Sequence, residues 1–158
     1  MGTAQSNVSA GSIALSELNL ETGRLALVKQ LTDNGMPIVD MGRVTLCVPD
    51  DLEKNAVIFT GSALRPTTTN NDLNFYVGRI NVLSSRWLNA ASNGSATAWF
   101  LIAALPGYGK QLRVYRKGGP KFLQSQPESK TWNVDFAVKN RYAVGNSTFL
   151  GLWASQGA

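Results

Sequence analysis

The sequence contains no histidine. That absence removes imidazole general bases, Ser-His triads, HExxH zinc sites and the usual proton switch near neutral pH. Cys47 is the single cysteine. It excludes an internal disulfide framework and a cysteine zinc cluster, and it fits a reducing compartment. Charge is also scarce. Charged residues make up 16% of the 158 positions, where about a quarter is usual for a soluble domain. Part of the surface is therefore expected to be covered by something else. Long apolar runs are missing too. The most apolar stretch, Ala96 to Pro106, falls short of the roughly 20 residues needed to cross a bilayer core, so no membrane contact is expected. The first residues, MGTAQSNVSAGSIAL, lack the positive start and long apolar centre of a signal peptide.

What is present suffices for one core. Hydrophobic residues account for 44% of the chain, enough for one domain or one compact piece of a larger one. The net charge of +5 is unevenly spread. Residues 1–78 hold 5 Lys/Arg against 8 Asp/Glu, and residues 79–158 hold 10 against 2. Such asymmetry fits a nucleic-acid-facing surface, a head-to-tail contact between copies, or merely scattered basic residues.

Residues 1–12 are small and polar and read as a flexible arm. Ser16 is a predicted N-cap, with Glu17 in the first turn. Leu20, Arg24, Leu27, Val28 and Leu31 follow a one-sided helical stripe, weakened by Gly23 and stopped at Asp33-Asn34-Gly35. Arg43 to Val48 reads as a buried strand. After Pro49, Asp50 and Asp51 open a second helix carrying Leu52, Ala56 and Phe59 on one face, and Gly61 closes it. Residues 62–74 read as a surface loop. Val77 to Leu83 alternates as a strand. Asn89 to Ser95 is a second loop, and Thr97 to Ala103 is apolar on both faces, as in a central strand. Leu112 to Tyr115 is a brief strand ending in a tight turn at Arg116-Lys117-Gly118-Gly119-Pro120. Trp132 to Tyr142 alternates as one long strand of about 36 Å, long enough to need a neighbouring chain beside it. Phe149 to Trp153 is a last strand or edge. Helices first and strands later make an α+β fold.

The candidate chemistry is thin. Gly107-Tyr108-Gly109-Lys110 has Ala104 and Gln111 where a phosphate loop requires glycine and Ser or Thr, so it reads as a turn. Asp50, Asp51 and Glu53 are what a helix dipole favours, and no further ligand accompanies them. Cys47 sits in an apolar strand with no base to activate it. No catalytic, cofactor or metal residue is assigned, and no enzyme is expected. Lys110, Arg113, Arg116, Lys117 and Lys121 form a run without an acid, interleaved with Tyr108 and Tyr115. It reads as an exposed, charge-protected edge, or as a contact for nucleic acid or an acidic partner. Trp87, Trp99, Trp132 and Trp153 are either core or subunit anchors.

Five segments together carry a resemblance. They are LSELNLETGRLALVKQLTDNGMPI from Leu15, TLCVPDDLEKNA from Thr45, TTNNDLNFYVGRINVLSSRWL from Thr68, ATAWFLIA from Ala96 and VKNRYAVGNSTFLGLWASQGA from Val138. In this order and spacing the chain resembles the C-terminal half of a tailed-phage major capsid protein, the Mu-like head subunit with the Hong Kong 97-like fold. The resemblance implies a partial capsid fold over residues 13–158. About 43–115 would be axial-domain-like, and about 13–35 and 130–158 peripheral-domain-like. It implies Asn70, Asn71, Asp72, Asn74 and Tyr76 near a symmetry axis, with Trp132 and Trp153 at subunit contacts. It implies copies of the chain as partners, in hexamers and pentamers of an icosahedral shell around double-stranded DNA, with scaffolding or portal proteins as further partners. The location implied is the virion, after assembly in the bacterial host cytoplasm, or a prophage remnant. Family members run to near twice this length. The resemblance thus implies a fragment or truncated product, without the N-terminal arm, the extended hairpin and the main spine helix.

Overall fold

A computed structural model describes residues 7–38, 41–65, 72–108, 111–124 and 136–158. The chain divides into two compact units, residues 1–111 with 149–158 and residues 112–148. In the first unit the first helix and the central strands share one core.

In the first unit, helix α1 spans Glu17–Val28. Ser16 caps it as expected, its Oγ accepting from the Asn19 N–H at 3.2 Å. The helix ends before the anticipated Asp33-Asn34-Gly35 stop. The Gln30 N–H closes a tight last turn on the Leu27 carbonyl, and the buried Gln30 side chain is then captured. Its Oε1 accepts from the Gly151 N–H at 2.7 Å, and its Nε2 donates to the Leu152 carbonyl at 2.9 Å. Thr32 to Met36 forms a separate turn. The buried face is Leu20, Gly23 and Leu27, not the stripe through Arg24 and Val28. Gly23 sits at its centre. A Cβ there would come within 2.9 Å of Leu101 Cδ1 and 3.0 Å of the Trp153 ring. The bare backbone is what lets the helix lie against the sheet.

That sheet contains β1 (Val44–Val48), β2 (Ile80–Ser84), β3 (Trp99–Ala103) and β8 (Leu152–Ser155). The strand order is β2-β1-β3-β8. β1 and β2 are parallel, which requires a crossover, and helix α2 (Asp50–Gly61) supplies it. The other pairs are antiparallel. Leu46 opposes Leu101, and Leu101 opposes Trp153, so these side chains stack across one face. Trp99, Leu101, Leu46, Val48, Leu20 and Leu27 are sealed from solvent. Each such side chain contributes about 1.5–3 kcal/mol. Ala56 of α2 joins the same core, with Leu52 and Phe59 packed at its margin.

The strand expected from Val77 starts at Ile80. Tyr76 accepts from both the Arg79 and Ile80 N–H groups, and Gly78 turns the chain at φ +73°. The Asn89 to Ser95 loop holds a short 3₁₀ turn at Ala90–Ser92, closed by Asn93 at φ 61°. Of the expected flexible arm, Asn7 to Ser9 are pinned instead. Val8 bridges Ala154, the Ser9 N–H donates to the Ala154 carbonyl, and the Ala154 N–H donates to Asn7. They cover the free edge of β8.

The second unit is a two-stranded ribbon. β4 (Leu112–Arg116) pairs with β7 (Tyr142–Asn146), and β5 (Lys121–Gln124) pairs with β6 (Phe136–Lys139). This corrects two expectations. The tight turn expected at Arg116 to Pro120 is a bulge within one ribbon strand, because β4 and β5 pair with β7 and β6 rather than with each other. The single strand from Trp132 to Tyr142 is not formed. Asn140 and Arg141 separate β6 from β7, and Trp132 to Asp135 lie outside the described residues.

Candidate functional site

The ribbon changes register at its middle. Arg116 opposes Tyr142 and Lys121 opposes Lys139. Lys117 to Pro120 thus face only Asn140 and Arg141, a bulge of two extra residues. Gly118 takes φ +78° there, and the Lys117 N–H still reaches the Arg141 carbonyl at 3.0 Å.

On either side of the bulge the strands alternate as core strands do, yet none of the unit's described residues covers them. Leu112, Val114, Tyr142 and Val144 share one side of the first ladder, and all are exposed. Phe122 and Val138 share a side of the second with Phe136. Phe122 is 84% exposed and Phe136 78%. Two-stranded ribbons are marginal in water, and solvated aromatic pairs do not improve that.

The same ribbon is basic. Residues 112–148 carry seven Lys/Arg and two Asp/Glu, net +5, while the rest of the chain holds eight of each. Arg113, Arg116, Lys117 and Lys121 all lie on it, and its second strand adds Lys139 and Arg141, which sequence reasoning missed. The signal for them was the same lack of neighbouring acids. Lys110 lies outside the described residues. Lys117, Lys121, Lys139 and Arg141 line a cleft of about 310 Å³ with Gly118 and Gly119. Lys121 and Lys139 are direct cross-strand partners. Like charges so placed are destabilising unless an anion or a partner's carboxylate sits between them.

The other expected contact residues fare differently. Trp153 is buried, its ring centre 4.8 Å from that of Trp99. Asn74 is buried too. Its Nδ2 donates to the Phe59 and Ser62 carbonyls at 2.8 Å, and its Oδ1 accepts from the Tyr76 N–H. Tyr76 is buried, with its hydroxyl donating to Glu21 at 2.9 Å. Burial, and next the bond to that carboxylate, raise the Tyr76 phenol above its ordinary range. Glu21 is held below the usual carboxylate range, chiefly by the Arg24 guanidinium. Trp153, Asn74 and Tyr76 are therefore held within the packing of the first unit itself. Asp72 is exposed beside the neck of its loop, where the Arg65 N–H donates to its carbonyl. Asn70, Asn71 and Trp132 lie outside the described residues.

No catalytic arrangement emerges among the described residues. Asp51 accepts from Asn89 Nδ2 at 2.8 Å, and Asp50 lies 3.5 Å from Arg86. No group of three His, Cys, Asp or Glu among those residues is placed to hold a metal ion. Cys47 is buried, and that burial raises its thiol pKa, the opposite of what a nucleophile needs.

Comparison with known proteins gives this arrangement a context. Among solved structures the chain is similar to one described as "Capsid of empty GTA particle computed with C5 symmetry". The TM-score is 0.51 at 13% identity, over 96% of this chain and 49% of that one. At that identity the likeness speaks for the fold alone, a mixed helix and strand fold like that of a capsid chain. This chain spans about half the length of that protein. No curated protein matches it. A family model described as "Phage capsid protein" matches residues 1–154. The chain thus belongs to the phage capsid protein family.

Proposed function

We propose that this chain is a structural subunit, or part of one, of a phage head shell, and that it works by associating with copies of itself. The observation that carries the reading is the ribbon of residues 112–148. It displays the aromatic and β-branched residues a core would hide, and it holds the whole net charge of the chain. In a chain of the capsid family, such a surface is best covered by a neighbouring subunit. The contact would be heterologous, ribbon against a different surface of the next copy, and such contacts close into rings. The finer reading follows the sequence resemblance. The subunit is Mu-like with a Hong Kong 97-like fold, this chain corresponds to the C-terminal half, and hexamers and pentamers build an icosahedral shell around double-stranded DNA. It resides in the virion, after assembly in the host cytoplasm with scaffolding and portal proteins. The role is structural, not enzymatic.

Light scattering and electron microscopy of the purified chain test the reading. Rings or larger assemblies that disperse on changing Phe122 and Phe136 to Ser support it. A strict monomer at every concentration counts against autonomous assembly.

A second reading is favoured by the four cations around the bulge. The ribbon would contact the phosphates of nucleic acid. A salt titration of DNA binding decides. If K117A/K121A together with K139A/R141A leave the affinity and salt slope unchanged, this reading fails.

A further inference from the structure

A separate cleft of about 370 Å³ lies in the first unit, between α1 and the start of the parallel pair β1/β2. Its lining includes Arg24 from α1, Arg43 just before β1, Arg79 just before β2, and the Phe75 ring. Two guanidinium groups crowd that ring, Arg24 at 5.2 Å and Arg79 at 4.4 Å from its centre. Glu21 engages Arg24 through two bonds, at 2.8 and 2.7 Å. Among the described residues no carboxylate pairs with Arg43 or Arg79. Arg43 meets the neutral Asn81 amide, at 3.5 Å. Among the described residues, two cationic forks therefore line one cleft without a paired carboxylate.

We propose that this cleft binds a small phosphate monoester, of the nucleoside or sugar monophosphate class. Charge selects it. A phosphate monoester carries about −1.5 to −2 near neutral pH, which matches two guanidinium groups that no described carboxylate pairs. A carboxylate or a phosphodiester brings one charge and leaves the other cation uncompensated. Shape agrees, because a guanidinium fork meets phosphate oxygens two at a time. Met41, Val44 and Ile80 on the wall give the organic part an apolar surface. The site is independent of the ribbon and of the assembly reading.

Calorimetric titration of the full chain with adenosine 5′-monophosphate and ribose 5-phosphate tests it, with glutamate and dimethyl phosphate as single-charge controls. Both monoesters should saturate one site, and each control should bind at least about tenfold more weakly. R43A/R79A should weaken the monoesters by at least about tenfold, whereas R113A/R116A should change nothing. Arg43 and Arg79 are exposed, so the double variant should keep its circular dichroism. If it does not, R43K/R79K, which keeps the charge but loses the fork, should still bind more weakly. Absence of saturable binding overturns the proposal. So does equal binding of glutamate, or affinity unchanged in the Arg43 and Arg79 variants.

Discussion

The two units of this chain treat the same kinds of side chain in opposite ways. In the first unit Trp99, Leu101 and Trp153 alternate inward along their strands and are buried. In the ribbon Phe122, Phe136, Val114 and Val144 alternate just as cleanly and are exposed. The charges divide along the same line, balanced in the first unit and strongly basic in the second. A β-strand pattern therefore reports only that one face wants cover. It does not report whether the cover comes from the same chain. Here the first unit answers its own pattern, and for the ribbon we propose that a neighbouring copy supplies the answer.

The largest expected effect tests the first half of that contrast. Trp99 is sealed, packed on Trp153, and its Nε1 donates to the Ile13 carbonyl at 3.0 Å. Trp99→Ala should destabilise the fold by about 3–5 kcal/mol, read as a lower urea midpoint. The ribbon should respond differently. Phe122→Ser with Phe136→Ser should shift that midpoint by less than about 0.5 kcal/mol yet weaken self-association at least about tenfold by sedimentation. If the ribbon variant unfolds as Trp99→Ala does, the ribbon is part of the core and the contrast fails.

A smaller effect sharpens the contrast within the first unit. In an ordinary helix Gly→Ala gains about 1 kcal/mol. At Gly23 the new Cβ would press on Leu101 and the Trp153 ring, both buried. We expect Gly23→Ala to cost about 1 kcal/mol net. A gain in stability would mean that the helix and sheet have room to part.

Much of the first unit was legible in sequence because its signals are local. Ser16 announces the start of α1, Val48-Pro49-Asp50 announces the passage from β1 to α2, and Trp99 to Ala103 reads as an inner strand. What escaped is decided by distant partners. The end of α1 depends on Gln30 meeting Gly151 and Leu152, more than a hundred residues away. The burial of Asn74 and Tyr76 depends on Phe59, Ser62 and Glu21. Arg116 to Pro120 reads as a tight turn by composition, and only the pairing of β5 with β6 makes it a bulge. The basic run was visible beforehand, but its completion by Lys139 and Arg141 needed the ribbon's register.

The smallest effect concerns pH and the polar knot of the first unit. Tyr76 donates to Glu21, and Arg24 grips the same carboxylate. Glu21 titrates below its ordinary value when folded. Its contribution is therefore present above the ordinary carboxylate value and is lost as pH falls through the folded value. Water reaches that ion pair, so the acid limb should be shallow. Tyr76 titrates above its ordinary value when folded. Its contribution is present below the ordinary phenol value and is lost as pH climbs beyond it. Urea midpoints should thus fall from about pH 10 upward. Tyr76→Phe should flatten that alkaline fall while leaving the acid limb nearly intact. Glu21→Gln should flatten the acid limb and soften the alkaline one, because it removes the carboxylate that opposes phenol ionisation. An alkaline fall unchanged in Tyr76→Phe would place its origin outside this knot.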